Sequence, residues 1–210
     1  MENPQQPIFG TVSPNTVPPD TVPPNKVVPS TALLGDGSVW ERAHDLLFQE
    51  QLRQPVVVLD AACRLNPYQL AERASLAGLS PETVLSRVGI MRAMTVYQLI
   101  EGLRRLRSLP TTTGVMVLGA HGLFADPDLE TDEAAFYHAR LRKALYVYQA
   151  EARSLVLVER IRRSRERHPT ERLPLLHRLI QETTHCLWVH QHHSRRLPRG
   201  KDRTSLLLGH

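Results

Sequence analysis

Five residues able to ligate a metal crowd near the end of this chain: His185, Cys186, His190, His192 and His193. Imidazole nitrogen and thiolate sulfur are zinc donors. On a strand from His185 to Gln191, Cys186, His190 and His192 share one face. The C-x2-C spacing of closed zinc sites is missing, however, and no second ligand cluster of similar density occurs. A polar strand end running into a basic turn accounts for the cluster, and no metal or cofactor is expected. A second pairing is nucleophilic. Cys63 follows an apolar run that ends in Asp60, and His121 follows another such run. Open α/β sheets bind ligands at the carboxyl ends of their strands, where a thiol beside an imidazole can act as nucleophile and base. Spacing does not bring the two within reach, so a small, partly buried cysteine and a loop histidine are the plainer reading. A third feature is electrostatic: Arg160, Arg162, Arg163, Arg165 and Arg167 recur in one segment, and Arg195, Arg196, Arg199, Lys201 and Arg203 in another. From Arg153 to Arg203 there are 13 basic and 5 acidic residues.

The elements that must position these groups follow from composition and periodicity. With 210 residues, 41% of them hydrophobic and 22% charged, the chain can build one sizeable α/β core. No apolar run is long enough to span a bilayer, and MENPQQPIFG lacks the basic and apolar regions of a secretory signal. Two distant cysteines are no disulfide framework, so a reducing, cytoplasmic compartment and no membrane association are expected. The net charge of +5 favours an anionic partner modestly. Lys26, Lys143 and Lys201 are the only lysines, so arginine, the better bidentate phosphate ligand, dominates.

Residues 11–30 read TVSPN, TVPPD, TVPPN, KVVPS, a near-repeat whose prolines oppose helix and interior sheet. Residues 1–29 are therefore expected to be a disordered, Pro-rich leader, a spacer or a docking ligand. The globular part, 30–210, opens with an apolar stretch to Leu34 and a turn at Gly35–Ser38. A helix runs from Trp40 to Gln51, and Pro55–Asp60 has the β-branched look of a buried parallel strand. Asn66-Pro67 starts a helix that Gly78 ends, and Ser80-Pro81 starts a shorter one. Val88–Arg92 reads as a strand, Thr95 caps a helix to about Ser108, and Gly114–Leu118 is another buried strand. A long amphipathic helix spans Thr131 to Ala152 and leads to a strand at Ser154–Val158. Beyond it come a helix at Leu173–Glu182 and two strands, His185–Gln191 and Thr204–Leu208, joined by Arg195–Asp202. Strands alternating with helices indicate a largely parallel sheet.

The segment Val56-Val-Val-Leu-Asp60, Pro67-Tyr-Gln-Leu70, Gly78-Leu-Ser-Pro81 and Val88-Gly-Ile-Met-Arg-Ala93 resembles the RecA/RadA recombinase family. There, a strand ending in an acidic residue precedes a Pro-containing turn and helix, then a Gly-Leu-x-Pro break and another strand. Order and spacing match over residues 56–108. Gly114 to Phe124 is similar to the family's second acidic strand, and His185 to Leu208 to its closing hairpin. The resemblance implies a RecA-like P-loop NTPase core with a mainly parallel sheet flanked by helices and closed by a C-terminal β-hairpin.

The resemblance also implies ATP chemistry, and here the residues depart from it. A phosphate loop needs G-x-x-x-x-G-K-[ST], whose amides, lysine and hydroxyl hold phosphates and Mg²⁺. The corresponding slot is Gly35-Asp36-Gly37-Ser38-Val39-Trp40-Glu41-Arg42. Trp40 stands for the second glycine, Glu41 for the lysine and Arg42 for the hydroxyl residue. Glu41 sets a negative charge beside a triphosphate, and Arg42 cannot ligate Mg²⁺. The family's water-activating glutamate aligns with Ala62, two residues after Asp60, and its Mg²⁺-orienting aspartate with Leu118.

Without those parts the expectation is no catalysis: a non-catalytic recombinase relative serving DNA repair or homologous recombination. Its partners are then an active recombinase or repair protein, and DNA held through the backbone by the arginine-rich segments. A short segment around Phe9, in Ile8-Phe9-Gly10, is by resemblance a contact for a neighbouring core. Two alternatives stay open: a divergent P-loop ATPase that still binds ATP, and a regulatory scaffold with no nucleic-acid role.

Overall fold

The computed structural model describes residues 31–124, 126–151, 153–161, 185–190 and 193–196. The leader with Phe9, the helix expected at 173–182, the strand expected at 204–208, and Arg162, Arg163, Arg165, Arg167, Arg199 and Lys201 lie outside the described residues. The elements in chain order are β1 (Thr31–Gly35), α1 (Val39–Arg53), β2 (Val56–Asp60), α2 (Pro67–Leu76), α3 (Pro81–Leu85), β3 (Val88–Arg92) and α4 (Val96–Leu106). They continue with β4 (Gly114–Leu118), α5 (Ala120–Leu123), α6 (Thr131–Ala150), β5 (Leu155–Arg160), β6 (His185–His190) and β7 (His193–Arg196).

Local chemistry sets several of these boundaries. The Asn66 side chain accepts the N–H of Tyr68 at 3.0 Å, with Pro67 in the first turn. Ser80 Oγ accepts the N–H of Thr83 at 3.4 Å ahead of α3, and Thr95 Oγ1 accepts that of Gln98 at 3.2 Å ahead of α4. Each cap satisfies an amide that the first helical turn leaves without a carbonyl. Gly78, just beyond α2, takes φ +71°, the left-handed conformation glycine reaches without a Cβ penalty.

The strands form one sheet in the order β3-β2-β4-β5-β1-β6-β7, parallel throughout except that β7 runs antiparallel to β6. Alternate residues of each strand serve opposite faces. Leu33, Val58, Met116, Leu118 and Val158 pack with Val39 and Leu47 of α1 and Leu70 of α2. Leu59, Val115, Val117, Leu155 and Leu157 pack with Leu99 and Leu103 of α4 and Leu141 and Leu145 of α6. Parallel crossovers share one hand. Connections from β1 to β2 to β3, which move one way along the sheet, therefore use one face. Those from β3 to β4 to β5, which move back, use the other.

At the amino edge of the sheet Arg153, 5% exposed, ties the layers together. Its guanidinium donates to the carbonyls of Arg107 and Leu109, both at 2.9 Å, and pairs with Glu151 at 2.9 Å. Tyr148 Oη donates to the Leu103 carbonyl at 2.7 Å. Burial pushes this phenol up to about 12.

The closing hairpin differs from the expected one. The partner of β6 is His193–Arg196, with Leu187 opposite Arg196 and His190 opposite His193. Only two residues therefore separate the strands, and Arg195 and Arg196 stand in β7 rather than in a long basic turn. A polar sequence such as His193-Ser-Arg-Arg196 can form an edge strand because backbone pairing, not apolar burial, holds it there. In β5 the difference is length: the strand runs two residues past Val158 and so includes Glu159 and Arg160.

Candidate functional site

Of the residues singled out from the sequence, Gly35 to Arg42, Asp60 to Cys63, Leu118 to His121 and Arg160 stand at the carboxyl edge of the sheet, after β1, β2, β4 and at the end of β5. His185, Cys186, His190, His193, Arg195 and Arg196 stand instead in β6 and β7. Backbone hydrogen bonds stitch these loops together. Ala61 N–H donates to the Leu118 carbonyl at 2.9 Å, Gly119 N–H to Val158 at 2.8 Å, and Ile161 N–H to Gly35 at 2.7 Å.

The loop after β1 is three residues long, Asp36 to Ser38. Gly35 is buried, and a Cβ there would lie 2.4 Å from the carbonyl oxygen of Val189 in β6, so only glycine fits. The Asp36 carboxylate folds back over the loop. Its Oδ1 accepts the Ser38 N–H at 3.0 Å and the Ser38 hydroxyl at 2.7 Å. The Val39 N–H donates to the Asp36 carbonyl at 3.1 Å and starts α1. An amide that a phosphate cradle would turn toward its ligand is thus taken by a carboxylate of the loop itself. Gly37 is exposed, with no atom near the place of a Cβ.

Trp40 lies against the apolar layer beneath α1, half-buried, with Nε1 sealed and no hydrogen-bond partner among the described residues. Glu41 is exposed. Arg42 is exposed too and pairs with Asp45 one turn on, at 3.3 Å. Asp45 also receives Arg73 of α2 at 2.9 Å. Trp40 thus packs against the apolar layer, Glu41 is solvated and Arg42 is an ion-pair partner.

The loop after β2 is organised by Asp60, which is fully buried. Its two carboxylate oxygens accept the N–H of Arg64 at 3.1 Å and of Leu65 at 3.0 Å. His44 of α1 fastens the same loop: Nδ1 donates to the Trp40 carbonyl at 2.7 Å, and Nε2 accepts the Asn66 N–H at 3.0 Å. The two bonds require the neutral Nδ1–H tautomer. Ala62 packs on Gly119, which has φ +69° and whose absent Cβ would fall 2.5 Å from the Ala62 Cβ. Leu118 is 1% exposed and part of the α1 layer.

Cys63 and His121 are not brought together. Cys63, at φ +52°, is exposed and directs its thiol to the Met94 sulfur at 3.6 Å, whereas His121 is buried next to Glu159. No group of three or more metal-ligating side chains assembles among the described residues. His190 and His193 are paired across the hairpin, and Cys186 is buried.

Sequence reasoning missed Glu159. Its side chain is 2% exposed, and its carboxylate accepts the His121 N–H at 2.9 Å and an N–H of Ala120. Burial pushes its pKa up to about 8, against the downward pull of those two amides. A signal was present: Leu155-Val-Leu-Val158-Glu159 repeats the apolar-run-then-acid pattern of Val56–Asp60. Asp36 and His44 were missed as well, since nothing in their spacing announces their partners. Arg160 follows Glu159, exposed and in register with Gly35, at the head of the basic segment.

The edge thus presents two buried carboxyls turned onto backbone amides, a third carboxylate closing the loop after β1, and exposed arginines at Arg42, Arg64, Arg92 and Arg160. No helix among the described residues is long and apolar enough to cross a membrane. A scan against protein-family models finds none that matches the chain, and a search of curated proteins returns no match.

Proposed function

We propose that this chain is a RecA-like accessory subunit of DNA repair or recombination that neither holds nor hydrolyses ATP. The observation that carries the reading is the Asp36 carboxylate closed onto the Ser38 amide and hydroxyl. A triphosphate in that slot would meet a fixed anion where it needs donors, at a cost on the order of 1–4 kcal/mol for one such pair. Trp40 packed against the apolar layer and Arg42 engaged with Asp45 support the same reading. For the finer fold, support comes from a parallel sheet whose order is neither of the two common doubly wound ones, together with the sequence likeness over residues 56–108.

In this reading the chain acts by binding. Arg160 and the arginines that follow it contact phosphates without reading bases, and the rigid sheet offers a surface to a catalytically active recombinase. Two titrations test it. A fluorescent ATP analogue with Mg²⁺ should give no saturable signal, and micromolar affinity would overturn the loss of ATP binding. Single-stranded DNA should bind with an affinity that falls steeply as salt rises. Replacing Arg160, Arg162, Arg163 and Arg165 by alanine should flatten that dependence, and an unchanged salt slope would remove DNA from the function.

A further inference from the structure

Strand β3 ends the sheet on one side: it pairs with β2, and no strand lies beyond it among the described residues. The Arg87 carbonyl accepts the Val56 N–H at 3.0 Å, and the Ala93 N–H donates to the Asp60 carbonyl at 3.3 Å. Odd-numbered residues from Arg87 to Ala93 therefore turn their peptide groups toward β2. Successive residues of a strand turn theirs to opposite sides. Val88, Ile90 and Arg92 thus aim N–H and C=O groups at the open edge. Sheet edges are commonly protected by proline, lysine or a bulge. β3 contains neither proline nor lysine, and its one-to-one register with β2 leaves no bulge. Gly89 and Arg92 are exposed, and the apolar Ile90 is 47% exposed. Such an edge is a template for another strand.

We propose that β3 pairs antiparallel with β3 of a second copy of this chain, about a two-fold axis through Ile90. The strand is complementary to itself in that register. With Ile90 opposite its own counterpart, Val88 stands opposite Arg92 and Arg92 opposite Val88. Every outward-facing residue then meets another, and each of the three pairs exchanges both hydrogen bonds. Moving the axis to Gly89 or Met91 leaves one of the three without a strand partner. Side chains agree with the same register. Ile90 packs on Ile90, Val88 lies along the stem of Arg92, and Met91 stands opposite Gly89, a long side chain beside an absent one. Between Ser86 and Ile100 the charged residues are Arg87 and Arg92. Arg92 meets Val88 and Arg87 meets Ala93, so no like charges stand directly opposite. Pairing about a two-fold axis closes on itself and gives a dimer rather than a fibre. The carboxyl edges of the two sheets then point in opposite directions, and Asp36 and Arg160, strands away from β3, stay open on both copies.

The test is sedimentation velocity of the full chain from about 1 to 100 μM. The wild type should pass reversibly from monomer to dimer with Kd of about 10 μM or tighter. Ile90→Lys sets two ammonium groups face to face and should weaken the dimer roughly ten-fold or more. The melting temperature at the lowest concentration, where the chain is monomeric, should not change. Cross-linking checks the register. Opposed residues of a hydrogen-bonded pair have Cα atoms about 5.5 Å apart, within disulfide reach. In a Cys63→Ser background, Ile90→Cys should therefore give a disulfide-linked dimer on mild oxidation, the two thiols losing two protons and two electrons to the added oxidant. Arg92→Cys, which faces Val88 and not itself, should not. A chain that stays monomeric at about 100 μM would overturn the proposal. So would a dimer that Ile90→Lys leaves intact, or equal cross-linking of Arg92→Cys and Ile90→Cys. A melting temperature several degrees lower for dilute Ile90→Lys would overturn it too, since the chain itself would then cover β3.

Discussion

The Glu159 carboxylate, at the end of β5, accepts the His121 backbone N–H at 2.9 Å and so joins the loops that follow two neighbouring strands. Because desolvation holds its pKa near 8, above the ordinary carboxylate range, the folded state binds a proton there that the unfolded chain has released. The stability this contributes is complete below about pH 4.5 and is lost as pH rises toward and through 8. Thermal unfolding followed from pH 5 to 9 should therefore show the wild type losing stability on the order of 3 kcal/mol relative to Glu159→Gln. The glutamine keeps an accepting oxygen and carries no charge at any pH. Parallel curves for the two proteins would refute the buried-acid assignment.

Gly119 and Ala62 touch at the carboxyl edge of the sheet. Gly119→Ala must place a Cβ 2.5 Å from that of Ala62 at φ +69°. The expected loss is about 3 kcal/mol, from the left-handed backbone and the overlap together. Adding Ala62→Gly should restore part of it, and chemical denaturation of the four proteins of this cycle measures the coupling. Additive losses would mean that the two residues do not meet.

Asp60 is structural at this edge. Asp60→Ala leaves the Arg64 and Leu65 amides without their acceptors in a buried loop, costing roughly 2–4 kcal/mol. A lower urea midpoint with an unchanged slope is the expected signature. An unaltered midpoint would show that water replaces the carboxylate and that the loop is open.

Under the proposed function, writing a phosphate-loop signature into the slot after β1 should not create an ATPase. The triple variant W40G/E41K/R42T still has Asp36 on the Ser38 amide, Ala62 beside Gly119, and Leu118 in the core. Phosphate release should stay at background. Stability should fall by about 3 kcal/mol as α1 exchanges a packed Trp40 for glycine. Mg²⁺-dependent turnover by this variant would mean that the slot remains a working cradle.

Much of the fold was legible before any coordinates. Helix starts at Asn66-Pro67, Ser80-Pro81 and Thr95 depend on a side chain meeting an amide two or three residues away, and strands such as Val56–Asp60 and Gly114–Leu118 depend on apolar runs that must be buried on both faces. Both signals are local, and both were read correctly.

The tertiary structure decided what depends on partners far away in sequence. Glu159 reads as the point where an apolar strand gives way to basic residues; it is buried because α5 closes over it, 38 residues away. Asp60 reads only as the acidic end of a buried strand, and the structure shows its carboxylate taken up by the amides of its own loop. His193–Arg196 has no apolar pattern, and only pairing with β6 makes it a strand. Local propensity is written in neighbouring residues, whereas burial and pairing come from strand order, which no short window of sequence contains.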